Sequence, residues 1–420
     1  LLPLGLQHVV AAVVGVITPA ILVADTCGLS SADKTLMIQV SLILTALATL
    51  LQLFPIFHRI GSGLPVIMGI SFAYIPTLQA IGGEFGLPTI LGAEIVGGIV
   101  AIVFGVLVKW IRPLFPPLVT GTVIFTIGLS LYPTAVKYMA GGAGSEWFGS
   151  AKSWAVALIT LAVVVFLNHF TKGITKLASI LIGILAGYVI AYFLGIVDLS
   201  GVGSAAWVAL PRPMPFDIQF VPAACVSLGI VYVVNAVQTI GDLSSTTMGG
   251  MDRMPTDKEL SGGIVGQGVM SILGAFFGGL PAATYSQNVG IVTVNRVINR
   301  AVFALAALIL LVAGLVPKFA SLLTTIPQCV IGGATISVFA TITMTGIRMI
   351  TEGGFTPRKS SVVGLSVALG VGITQVSGCL AGEGFPAWVN TVFGSSSVVV
   401  AALMAILLNL ILPKEPSANG

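Results

Sequence analysis

Apolar runs follow one another along almost the whole chain, each ended by a short break of polar, glycine or proline residues. A helix rises 1.5 Å per residue, so about 20 apolar residues cross the hydrocarbon core of a bilayer. Runs of this kind fall at about 3–24, 35–56, 64–80, 88–108, 117–136, 153–169, 174–195, 218–241, 261–278, 284–298, 299–316, 324–345, 360–378 and 391–412. Breaks such as Gly61-Ser62-Gly63, Pro116-Pro117 and the stretch from Asp252 to Lys258 separate them. The pattern predicts an all-α polytopic membrane protein with 14 transmembrane segments.

Two of the runs are poor spans. The third opens Gly63-Leu64-Pro65 and the tenth opens Gly279-Leu280-Pro281, 216 residues later and seven segments further on. Seven is odd, so the second half enters the bilayer from the opposite face, and the chain reads as a 7+7 inverted repeat. Short Gly/Pro-interrupted segments at matching places in two halves point to a transporter's binding site. Pro65 and Pro281 cannot donate a helix bond, which favours a short extended segment followed by a half-helix. The half-helix N-termini would meet near the midplane and offer free N–H groups to a solute. Backbone left unpaired at that depth is tolerated only where it lines a cavity.

Composition supports this reading. Of 420 residues 56% are hydrophobic and 8% charged, and the mean hydropathy is +1.08, which excludes a water-soluble domain. The net charge of +4 comes without a basic cluster, so no nucleic-acid partner is expected. Cys27, Cys225, Cys329 and Cys379 lie far apart, without metal-ligand spacing, and suit small packing residues. No metal and no cofactor is implied, and no cleavable signal peptide is expected. Of the 18 basic residues, 13 fall on even-numbered connections or at the C-terminal end and 5 on odd-numbered ones. The positive-inside rule then sets both termini in the cytoplasm.

Polar residues concentrate near the two broken spans. In the eighth, Asn235, Gln238 and Asp242 stand at i, i+3 and i+7, on one helix face. An acid inside a span is costly and points to a functional role such as a proton relay. Asn235 also suits an interhelical hydrogen bond. In the tenth, Gln287 and Asn288 carry amides that both donate and accept, as reading the edge of a heterocycle requires. Phe72 stands at the matching place in the third and offers a ring face. Glu94 is a further acid within the fourth span, and Arg296 and Arg300 read as cytoplasmic anchors. No nucleophile–base pair or metal cluster lies within a span, so an enzyme is not expected.

Ser286-Gln287-Asn288-Val289-Gly290, running on to Asn295-Arg296, resembles the signature of the nucleobase–ascorbate transporter family, the nucleobase:cation symporters of the second class. That signature reads Gln, Glu or Pro, then Asn, any residue, Gly, four of any residue, Thr, and Arg, Lys or Gly; Asn295 stands here at the Thr. Leu6-Gln7-His8, Ser71-Phe72-Ala73 and Thr239-Ile240-Gly241-Asp242 are supporting matches, and the likeness covers the whole chain. It implies a core domain from 1–110 and 215–317 and a gate domain from 111–200 and 318–413. It further implies an elevator-type movement of core against gate, a homodimer in the plasma (inner) membrane, and proton symport of a nucleobase. By position, Phe72 would stack on the ring, and its N–H with that of Ser286 would meet a carbonyl. Gln238 and Gln287 would read the ring edge, with Asn288 beside them; His8, Asn235 and Gln267 would support the site. Gln at the signature's first place is similar to purine carriers of the xanthine or urate type, whereas uracil carriers have Glu.

Two further positions depart from the family pattern: Gln238 stands where Glu is usual, and Gln267 where Asp is frequent. A carboxamide cannot carry a proton, so coupling would fall on Asp242 or another acid. The alternatives are a sulfate- or bicarbonate-type anion transporter of the same architecture, a uracil carrier and a passive channel. The anion reading requires a basic residue near the site, and segments 64–80 and 284–294 contain none.

Overall fold

The computed structural model describes residues 1–111, 115–199, 202–203, 205–376 and 378–413. Arg112 and Lys414, two of the 13 basic residues on even-numbered connections or at the C-terminal end, lie outside the described residues. Helices dominate, beginning with α1 (Leu2–Thr26) and α2 (Ser31–Leu53). A three-residue strand β1 (Met68–Ile70) and a 3-10 turn (Phe72–Tyr74) precede α3 (Ile75–Phe85). Then come α4 (Leu87–Val106), α5 (Val108–Ile111), α6 (Pro117–Met139), α7 (Ala151–Phe170), α8 (Gly173–Leu177) and α9 (Ser179–Phe193). The second half runs α10 (Pro222–Met251), α11 (Asp257–Phe277), strand β2 (Ala282–Thr284), α12 (Ser286–Asn295) and α13 (Arg300–Gly314). It closes with α14 (Pro317–Thr324), α15 (Gln328–Thr351), α16 (Pro357–Gln375), α17 (Ala387–Val389) and α18 (Ser397–Ile411).

Local chemistry sets the boundaries. Ser30 accepts the Asp33 N–H at the start of α2, and Thr256 with Glu259 forms a capping box on α11. Gly278, at φ +78°, ends α11 in the left-handed conformation that glycine adopts without strain. Each run marked by hydropathy contains a helix. Among the described residues, eight helices are long and apolar enough to cross a membrane, and the α13–α14 pair, bent by 79°, makes up to nine. The short α14 was not expected: Pro317 restarts a helix where the sequence suggests a connection. Large apolar side chains exposed on the outer helices, with Phe170 76% and Phe193 80% exposed, mark an integral membrane protein.

The two broken spans meet. β1 and β2 pair antiparallel, Met68 opposite Thr284 and Ile70 opposite Ala282, and the Tyr285 N–H donates to the Ile67 carbonyl at 3.0 Å. The half-helices that follow, α3 and α12, have 11 and 10 residues. Pairing the extended segments with each other satisfies backbone that lipid could not.

The helices pack as two sets. In the first, α4 lies on α10 and α11, and α2 lies on α1 and α13. In the second, α6 lies on α15 and α18, α7 on α9 and α15, and α16 on α18. Small residues permit the closest approaches. A Cβ on Gly268 of α11 would stand 2.5 Å from the Gly98 carbonyl of α4, and one on Gly332 of α15 would stand 2.3 Å from the Met139 nitrogen of α6.

Candidate functional site: a cavity at the tips of two half-helices

A cavity of about 470 Å³ lies between the two helix sets. One wall is made by Ser71, Phe72 and Ala73 before α3, by Gln238 and Asp242 of α10, and by Thr284 to Gln287 at the start of α12. The facing wall comes from α6 and α15, with Thr120, Thr341 and Thr345 among its residues. Both half-helices therefore point their N-termini at the space, and α12 carries no side-chain cap. The first N–H groups of a helix have no intrahelical partner, so this end presents donors and partial positive charge. Among the described residues no Lys, Arg or His lines the cavity.

The polar side chains form one connected circuit. Asp242 Oδ2 accepts from Thr284 Oγ1 at 2.6 Å and from Ser286 Oγ at 3.0 Å. Ser286 Oγ accepts in turn from Gln238 Nε2 at 3.2 Å, and Gln238 Oε1 accepts from Asn235 Nδ2 at 3.5 Å. Asn235 Oδ1 takes the Gln267 amide at 2.6 Å, and Gln267 Oε1 accepts from Thr239 Oγ1 at 2.7 Å. Thr284 Oγ1 stands 3.5 Å from Thr239 Oγ1, with both hydroxyl protons already given to Asp242 and Gln267, while Tyr74 OH accepts from Gln267 Nε2 at 3.2 Å. The circuit ties α10, α11 and α12 together and orients Gln238 and Ser286 toward the cavity. Gln287 differs: it is exposed to the cavity and, among the described residues, its carboxamide has no intramolecular partner. An unsatisfied amide beside free helix N–H groups can both donate to and accept from a planar heterocycle.

Seven of the nine predicted site residues thus share one network or one wall: Phe72, Gln238, Asp242, Ser286 and Gln287 line the cavity, and Asn235 and then Gln267 stand behind them. Gln267 is completely buried deeper in the same circuit. Phe72 meets Phe339 of the facing set edge-on, at 5.4 Å between centroids. Asn288 is placed elsewhere. Its Nδ2 donates to the His8 carbonyl and to His8 Nδ1, both at 3.0 Å, so it pins α12 to α1 behind the cavity wall. His8 is held there against Phe303, at 4.5 Å. Asn295, at the departure from the signature, reaches Gln7 on α1. Among the described residues Arg296 pairs only with exposed Asp252, and Arg300 Nη2 holds the Gly63 carbonyl at 2.6 Å, beyond the far end of α12. Glu94 stands completely buried, apart from the cavity.

Sequence reasoning missed Thr284 and Tyr74, which complete the circuit, and the threonines of the facing wall. Thr284 and Tyr74 adjoin the recognised motifs, and that adjacency was the available signal. Thr120, Thr341 and Thr345 carried none, because which helix faces the broken spans is not a local property. A larger cavity, about 850 Å³, surrounds Asp25, Lys34 and Gln328 and contains none of the predicted site residues.

Residues 1–378 match the family model Xan_ur_permease, described as the Permease family. The chain is 35% identical to a xanthine permease of Bacillus subtilis, covering 98% of this chain and 93% of the relative. It is also 35% identical to the uric acid permease PucK of the same organism, over 100% and 97% of the two chains. The uric acid transporter UacT of Escherichia coli is 32% identical, over 98% and 85%. Among solved structures, the transmembrane domain of the cyanobacterial bicarbonate transporter BicA superposes with a TM-score of 0.60 at 17% identity, over 97% of each chain. The murine Solute Carrier 26 family member A9 anion transporter in the inward-facing state gives 0.64 at 11% identity, over 98% of this chain and 68% of that one. At these identities the two structures share the fold.

Proposed function

This chain belongs to the Permease family, Xan_ur_permease, is a permease and not an enzyme, and on that premise we propose that it carries a purine nucleobase of the xanthine or urate type across the membrane. The carrying observation is the 470 Å³ cavity in which two half-helix N-termini and the free Gln287 amide converge without a cationic side chain. A flat, neutral ring bearing both C=O and N–H groups matches such a set of donors and acceptors. Phe72 offers its ring face, the N–H groups of Phe72 and Ser286 meet a carbonyl, and Gln287 and Gln238 read the edge. The xanthine and uric acid permeases among the relatives support the same substrate class.

The coupling ion in this proposal is the proton, taken up at Asp242, the only acid on the cavity wall among the described residues. The movement is elevator-like: the set containing α1–α4 and α10–α13 slides as a core against a gate of α6, α7, α9, α15, α16 and α18. The division of packing between the two sets supports it. The working unit is a homodimer in the plasma membrane with both termini cytoplasmic.

Thermal stability of the purified protein, followed with xanthine, urate, guanine, hypoxanthine, uracil, sulfate and bicarbonate at two pH values, tests the substrate class. A ligand at about 100 times its Kd stabilises by about 2.7 kcal/mol. Stabilisation by an oxopurine and by neither anion is the expected result. Stabilisation by sulfate or bicarbonate alone would establish the anion reading that the shared fold invites.

A further inference from the structure

Side-chain hydrogen bonds that join a helix of the first set to the second gather at one end of the molecule. Asp25, near the end of α1, is the centre. Its carboxylate accepts from Tyr138 OH of α6 at 2.7 Å and from Gln328 Nε2 of α15 at 2.5 Å, and it pairs with Lys34 of α2. Beside it, Gln79 of α3 donates to Thr26 and accepts from Thr134 of α6, both at 3.2 Å. Thr77 and Ser396 share a buried hydroxyl contact of 2.8 Å, and Thr391 reaches Glu84 at 3.4 Å.

The nucleobase cavity lies toward the opposite end. On α6 it is lined by Thr120, Ile124 and Ile127, whereas the contacts just described use Thr134 and Tyr138. On antiparallel α15 it is lined from Val338 to Met349, whereas the contact uses Gln328, the first residue of the helix. Thr120 and Tyr138 are about 27 Å apart along the helix at 1.5 Å per residue. The two helix sets are thus hydrogen-bonded at one end, between the 850 Å³ cavity around Asp25 and Gln328 and the 470 Å³ cavity at the half-helix tips, and among the described residues carry no such bonds across the latter.

We propose that Asp25, Tyr138 and Gln328, with Thr77–Ser396 beside them, form a latch whose closure holds the cavity accessible from the α6 N-terminal side only and whose opening is required for access from the other side. This rests on the transport reading above. Sliding one set past the other must part Asp25 from both of its partners, because they stand on α6 and α15 while Asp25 stands on α1. The carboxylate does not lose all pairing, since Lys34 belongs to its own set and stays with it. A charge kept paired in both states lets the contact break without leaving a buried ion alone.

Two experiments test the latch, both in a background with the four native cysteines replaced. In the first, Thr77→Cys with Ser396→Cys is oxidised in proteoliposomes. Uptake should be lost on cross-linking and return with reductant, with purine binding in detergent retained throughout. Undiminished uptake by a fully cross-linked protein overturns the proposal. In the second, Thr345→Cys reports cavity access through an impermeant thiol reagent applied from the α6 N-terminal side. Adding Asp25→Asn or Tyr138→Phe should shift the equilibrium between the two access states about tenfold, the shift expected from one hydrogen bond to a charged group. Labelling from this side then slows, and labelling from the opposite side rises by up to about tenfold. Unchanged labelling in both variants also overturns it. Labelling needs no substrate, so a failed purine assignment, seen as absent binding by the unaltered protein, is distinguishable from a failed latch.

Discussion

At the scale of single residues, the site separates side chains that face the cavity from those that hold them. Gln287 faces it without an internal partner among the described residues, so on the proposed reading Gln287→Ala should remove a ligand bond and leave the fold intact. Purine affinity should drop about fivefold to tenfold by calorimetry, with an unchanged melting temperature in the absence of ligand. Asn288→Ala has the opposite signature. It strips His8 of a buried donor, so stability should fall by about 1–3 kcal/mol in thermal melts, with affinity changing less. Asp242→Asn keeps the shape and the hydroxyl contacts of the circuit but cannot exchange a proton. It should abolish pH-driven accumulation in proteoliposomes while sparing binding; normal accumulation would remove Asp242 from the coupling role. Much of this was legible in the sequence, because a polar side chain in an apolar run is conspicuous and costly. That Asn288 turns to α1 while its neighbour Gln287 turns to the cavity was not, since it depends on where α1 lies.

At the scale of elements, the two broken spans were legible as Gly-Leu-Pro openings that no regular helix tolerates well. Their partnership was not. Three residues of β1 find three of β2, some 200 residues away along the chain, and that pairing sets the half-helix tips side by side. Close helix approach then holds the frame. Gly268→Leu would drive a side chain into the Gly98 carbonyl and part α11 from α4. A loss of about 1–3 kcal/mol or more, read as a lower melting temperature in detergent, is expected, with Gln267 and the polar circuit displaced along with it. The bent α13–α14 pair escaped the hydropathy pattern for a related reason: α14 is short and packs on α2, and nothing in the flanking residues states that direction.

At the scale of the whole molecule, the polar contacts between helix sets collect at one end and the cavity lies toward the other. Transport in such a body requires that the relative position of the sets depend on substrate and coupling ion. Collapsing an imposed pH gradient with a protonophore should therefore reduce purine content in proteoliposomes to the equilibrium level. Accumulation that survives it would point to another ion. The sequence by itself determined that the chain lives in a bilayer, where it is interrupted and which polar residues are buried there, because hydropathy and proline–glycine breaks are local properties. Only the tertiary structure decided which faces meet: the strand pair, the threonine wall opposite Gln238 and the Asp25 contacts. Helices apolar on every side carry no stripe that names their neighbour, and lipid gives apolar faces no reason to seek one another. Shape at small residues and a few hydrogen bonds choose the partners, and these exist only once the chain has folded.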